Sequence, residues 1–101
     1  MEQVSGYVLV WGSPWNRKAG IFPSPQLAEK AAIGKIRDWL KFCVERCIGE
    51  NPTVEQFSSA FEETVSTAPA EWAVKWFAYN NHLPGGDEWI CQVVPLYESA
   101  D

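Results

Sequence analysis

Tyr7-Val8-Leu9-Val10-Trp11 is an unbroken run of aliphatic and aromatic side chains, which predicts a strand apolar on both faces. Gly12-Ser13-Pro14 interrupts it, and Ala19-Gly20-Ile21-Phe22 predicts a returning strand. The connection, roughly Gly12 to Lys18, reads as longer than a two-residue hairpin turn and carries Trp15 beside Asn16, Arg17 and Lys18. Pro23-Ser24-Pro25 is a helix-start signal, with Ser24 as N-cap and Pro25 at the first helical position. The period then becomes helical. Ala32, Ile33, Ile36, Trp39, Leu40, Cys43, Val44 and Cys47 share one face, opposite Lys30, Arg37, Asp38, Lys41 and Glu45. That predicts an amphipathic helix of about six turns, ending before Gly49 with Pro52 just beyond.

Thr53 and Gln56 have the spacing of a capping box. Val54, Phe57, Ala60, Phe61 and Val65 predict a second helix near 54–66, with Glu55, Ser59, Glu62 and Ser66 aligned outside and Glu63 beside them. Residues 70–79 fit two periods. As a helix begun by Pro69 they place Trp72, Trp76 and Tyr79 in one stripe, and as a strand they place Trp72, Val74 and Trp76 on one face. Ala, Glu and Lys favour the helix. Asn80 to Gly86 has loop composition, and Glu88 to Leu96 predicts a strand whose Pro95 suggests a sheet edge. The fold expected is α+β: one domain over 1–101, an antiparallel sheet of the N-terminal hairpin and the C-terminal strand, covered on one face by the long helix and its shorter successors.

The 101 residues are 47% hydrophobic with a net charge of −5, which excludes disorder and argues against a general nucleic-acid binder. The charge is uneven. Residues 1–46 hold seven Lys/Arg against four Asp/Glu (+3), and residues 47–101 hold one against nine (−8). No leader-like or membrane-spanning apolar run occurs, and three cysteines, an odd number, read as reduced thiols, so a cytoplasmic protein is expected.

Chemistry is sparse. His82, the only histidine, stands in a polar loop, and Cys43 falls in an apolar stripe, where a thiol behaves as a small hydrophobe. Cys43, Cys47, Cys91 and His82 make a zinc set only on paper, because Cys-x3-Cys lies inside a strong helical pattern. Gly85-Gly86-Asp87-Glu88-Trp89 resembles, over five residues, the Gly-Gly-Asp-Glu-Phe signature of diguanylate cyclases. Their catalytic domains are much longer, and the reading here is a turn feeding an edge strand that Asp87 and Glu88 keep soluble. No catalytic motif, cofactor or metal is expected.

Surface chemistry remains. Trp11, Trp39 and Trp89 are assigned to the core, whereas Trp15, Trp72 and Trp76 are candidate partner contacts, together with Glu55, Glu62, Glu63, Asp87 and Glu88. In size, acidity and lack of a catalytic motif the chain resembles small inhibitors encoded by phages and mobile elements, anti-CRISPR proteins among them. That resemblance implies a module that binds a protein partner, such as a nucleic-acid-handling complex with a basic groove, without touching nucleic acid or membrane itself. A second reading is a small-molecule- or nucleotide-binding domain or small enzyme, its pocket lined by Trp72, Trp76 and Tyr79 with His82, Asp87 and Glu88 at the rim. A third is a homodimer paired through the C-terminal edge strand at Ile90–Val94.

Overall fold

The computed structural model describes residues 3–46, 52–81 and 89–98. Strand β1 (Gln3–Ser13) lies between β2 (Asn16–Phe22) and β3 (Ile90–Glu98), antiparallel to both, so the sheet order is β2-β1-β3. Central position follows from composition, since the strand apolar on both faces is the one hydrogen-bonded on both sides. β3 is an edge strand, which accommodates the missing donor of Pro95. Along β1–β3 the register shifts between Val4 and Gly6, and the hydroxyl of Ser5 donates to the Leu96 carbonyl at 3.2 Å.

The hairpin departs from expectation. Pairing continues through Trp11–Lys18, Gly12–Arg17 and Ser13–Asn16, leaving only Pro14-Trp15 as the turn. Asn16, Arg17 and Lys18 look like loop residues by composition, but an edge strand tolerates polar side chains because one side of it meets water. Proline fixes a negative φ, and among the described residues none other than glycine has a positive one, so this is not a primed turn. The left-handed backbone falls instead on Gly12, at φ 119°.

Helix α1 (Pro25–Arg46) starts as the sequence predicts, with the Leu27 amide donating to Ser24 Oγ at 3.3 Å. It buries Ala28, Ala32, Ile33, Ile36 and Leu40 against the sheet. Helix α2 (Pro52–Thr67) follows; the Thr53 side chain and the predicted α1 stop at Gly49 lie outside the described residues. Residues 70–79 are helical, within α3 (Ala70–Asn80). Its inward face is Ala73, Val74 and Phe77, small enough beside the phenyl ring for the helix to sit close over β3. α2 touches α1 and α3 rather than the strands, and Arg37 of α1 grips Glu62 of α2 through Nε–Oε1 at 2.7 Å and a second bond of 2.8 Å.

The sheet contributes Leu9 and Cys91 to the buried cluster, which they share with Phe61 of α2 and Phe77 of α3. Phe77 meets Trp39, Phe57, Phe61 and Trp89 edge-on at centroid separations of 5.8–6.0 Å. One phenyl ring therefore joins all three helices to the segment entering β3. Truncating a fully buried phenylalanine costs about 3–5 kcal/mol, a large part of the ~5–15 kcal/mol by which such domains are stable.

Two glycines should respond oppositely to alanine. A Cβ on Gly12 would stand 2.2 Å from the Asn16 carbonyl oxygen, whereas one on Gly34, inside α1, meets nothing within 4 Å. Thermal melts should show Gly12→Ala destabilised by about 2 kcal/mol or more and Gly34→Ala stabilised by about 0.5–1 kcal/mol. A Gly12→Ala melt equal to wild type would contradict the hairpin geometry.

Candidate functional site

Side chains alternate along each strand, and both α1 and α3 lie on the face that carries Leu9, Trp11, Phe22, Cys91 and Val93. The alternate positions make the opposite face. Register places Ile21, Val8 and Val94 in one row across the three strands, with Ala19, Val10 and Gln92 in the next. Leu96, paired with Gly6, extends the surface on one side, and Ile90, paired with Gly12, extends it on the other. Ile21 is 72% exposed, Val94 and Leu96 40% each, and Val8, Val10 and Ile90 are half-buried. No described helix or strand covers this face. Between the Gly6 and Gly12 rungs, Arg17 is its one charged residue. From strand spacing and rise it measures roughly 15 by 20 Å, about the area of the largest apolar patch on a small monomer, which is often a functional surface.

The residues singled out from sequence do not gather in one place. Trp15 stands 80% exposed at the hairpin tip. Trp72 is 61% exposed on α3, where Lys75 Nζ lies 5.6 Å from its ring centroid. Tyr79 is exposed too, but Trp76 turns to Phe57 and Phe61, so the predicted aromatic stripe does not form one wall. Of the three carboxylates on α2, Glu62 is engaged by Arg37, which lowers its pKa through the hydrogen-bonded contact. Glu55 and Glu63 line a shallow exposed depression with Ser59. Cys47, His82, Asp87 and Glu88 lie outside the described residues.

The three tryptophans assigned to the core, Trp11, Trp39 and Trp89, are packed half-buried against it and also line a cleft of about 310 Å³ at the hairpin end of the inner face. Trp39 and Trp89 stack at 4.8 Å, and Lys35 Nζ sits 4.7 Å from the Trp11 ring centroid, with Lys18 and Asp38 at the rim. Indole surface with two ammonium groups suits a flat ligand bearing an acidic group. A larger groove of about 550 Å³ opens between α1, α3 and β3. There burial, and then the charge of Glu71, raise the Glu29 pKa against the opposing pull of Lys75.

Cys91 forms part of that groove's floor. Its thiol donates to the Ala32 carbonyl at 3.6 Å, and burial pushes its pKa up to about 12 from an ordinary 9.0, with Lys35 pulling weakly the other way. A neutral buried thiol is a poor nucleophile. Among the described residues no group of three His, Cys, Asp or Glu side chains is placed to hold a metal, and no helix is long and apolar enough to cross a membrane. Comparison with known protein families, with characterised proteins and with solved structures finds no match to this chain.

The raised Cys91 pKa sets a pH dependence. A folded-state pKa above the unfolded one contributes stability that is complete below about pH 8.5–9 and is lost as pH rises towards 12. Iodoacetamide at pH 8.5 should spare Cys91 in the folded chain and alkylate it after denaturation. The melting temperature should also fall more steeply between pH 8 and 11 in wild type than in Cys91→Ala. Rapid alkylation of native Cys91 would contradict this placement.

Proposed function

We propose that the chain is a protein-interaction module whose docking surface is the open face of its sheet. One observation carries the reading: the central strand is apolar on both sides, and the helices cover only one. Antiparallel sheets with one face in water commonly alternate apolar and polar residues, whereas strands buried on both faces read as continuous apolar runs. Tyr7 to Trp11 has the second pattern, so its outer positions, Val8 and Val10, suit burial against a partner. A partner of matching chemistry presents an aliphatic surface that can exclude water from Ile21 and Val94. Such a module acts by occupying a surface that its partner needs. The small phage-encoded inhibitors that the chain resembles in size and acidity fit this mode, and the exposed α2 carboxylates Glu55 and Glu63 would face away from the contact.

Site-specific photo-crosslinking in living cells tests the reading without presupposing the partner. With p-benzoylphenylalanine in place of Ile21, irradiation should give discrete higher-mass adducts, and the same probe in place of Lys41 on the outer face of α1 should give few. Adducts from a probe at Trp72 and none from Ile21 would move the docking surface to the helical aromatics and overturn the proposal.

A further inference from the structure

We infer that the cleft between the β1–β2 hairpin and α1 is a binding site for a planar aromatic monocarboxylate. It lies on the helical side of the sheet, so it is separate from the open face and does not depend on what docks there. Three parts of the fold build it. Trp11 and Lys18 are opposite each other across the β1–β2 ladder and so share the inner face. Lys35, Asp38 and Trp39 stand at i, i+3 and i+4 on α1, which puts them on one stripe of the helix. Trp89 comes from the segment entering β3, and all six line the same space.

The stacked pair sets the shape of the ligand. Trp39 and Trp89 lie within 11° of parallel, with centroids 4.8 Å apart. Phe77 is 5.8 Å from each, which places it beside the pair rather than on either outer face. Among the described residues no other ring meets these two indoles. A third ring can extend the stack at the ~4.5–7 Å spacing that aromatic pairs prefer. The volume of about 310 Å³ is at the lower end of the ~300–1,000 Å³ of small-molecule pockets, room for one fused bicycle and its acid group.

The ammonium groups set its charge. Lys35 is half-buried with Nζ 4.7 Å from the Trp11 centroid, and among the described residues neither it nor Lys18 pairs with a carboxylate. The indole face offsets only part of what withdrawing an ammonium from water costs, and an anion in the cleft supplies the rest. Asp38 limits how much negative charge is welcome. Two ammonium groups and one carboxylate leave the described lining a single positive charge, which matches one carboxylate. A phosphate monoester, with ~1.5–2 negative charges at pH 7, is disfavoured beside Asp38.

Titrating the isotope-labelled chain with 2-naphthoate to about 5 mM, read through the indole N–H resonances, tests the site across the weak affinities of so small a ligand. The resonances of Trp11, Trp39 and Trp89 should move together, while those of exposed Trp15 and Trp72 stay in place. 2-Naphthamide keeps the ring without the charge, and cyclohexanecarboxylate keeps the charge without a flat ring. Each should bind at least tenfold more weakly, as should 2-naphthoate to Lys35→Met, with affinity largely restored in Lys35→Arg. Lys18→Met changes an exposed position and keeps the charge test readable if Lys35→Met fails to fold. It should weaken 2-naphthoate severalfold and leave 2-naphthamide unchanged. Absence of any indole shift overturns the inference, as do shifts confined to Trp15 or Trp72. So does 2-naphthamide binding as tightly as 2-naphthoate, or 2-naphthoate binding that neither lysine variant weakens.

Discussion

A three-stranded sheet has one strand with neighbours on both sides, and here that strand is the most apolar segment of the chain. β1 is fixed by ladders to β2 and β3, and on its inner side Leu9 is fully buried under the helices. Everything else is arranged around that burial. α1 runs along the inner face with an alanine-rich surface, Ala28 and Ala32, that lets it lie close, and the Cys91 thiol of β3 reaches the Ala32 carbonyl across the same contact. The helices thus satisfy half of what the composition of β1 demands.

The aromatic residues serve as connectors. Phe77 stands between Trp39 of α1, Phe57 and Phe61 of α2, and Trp89 at the entry to β3. A helix that reaches no strand, α2, is anchored through these rings and through the Arg37–Glu62 bridge. That bridge is half-exposed, so its contribution to stability is on the order of 1 kcal/mol or less, and the rings carry most of the attachment. Spending aromatics on this junction leaves the cleft of Trp11, Trp39 and Trp89 partly open and leaves Trp15 and Trp72 outside.

Much of this was legible in the residues. The helical stripe from Ala32 to Val44, the Ser24 cap, the edge position of β3 and the α+β layering follow from local periodicity and turn chemistry, which depend on neighbours a few positions away. The hairpin turn was not, because Asn16 to Lys18 pair as an edge strand while resembling loop residues in composition. Nor was the role of Glu62, since its partner Arg37 is brought to it only by the crossing of two helices. The open face was legible in part. The unbroken run from Tyr7 to Trp11 announces a strand wanting cover on both sides. That Ile21, Val94 and Leu96 join it on one surface depends on strand order and register, which no local pattern encodes.

The central claim is that the outer positions of β1 and its neighbours are made for burial against another protein surface. Maleimide labelling of a single cysteine placed at Ile21, compared between the purified chain and intact cells, tests it directly. The account predicts that the probe position reacts freely in the purified chain and is protected in cells, while a cysteine at Trp72 reacts equally in both. Equal labelling of the Ile21 position in both settings, with protection confined to Trp72, would contradict it.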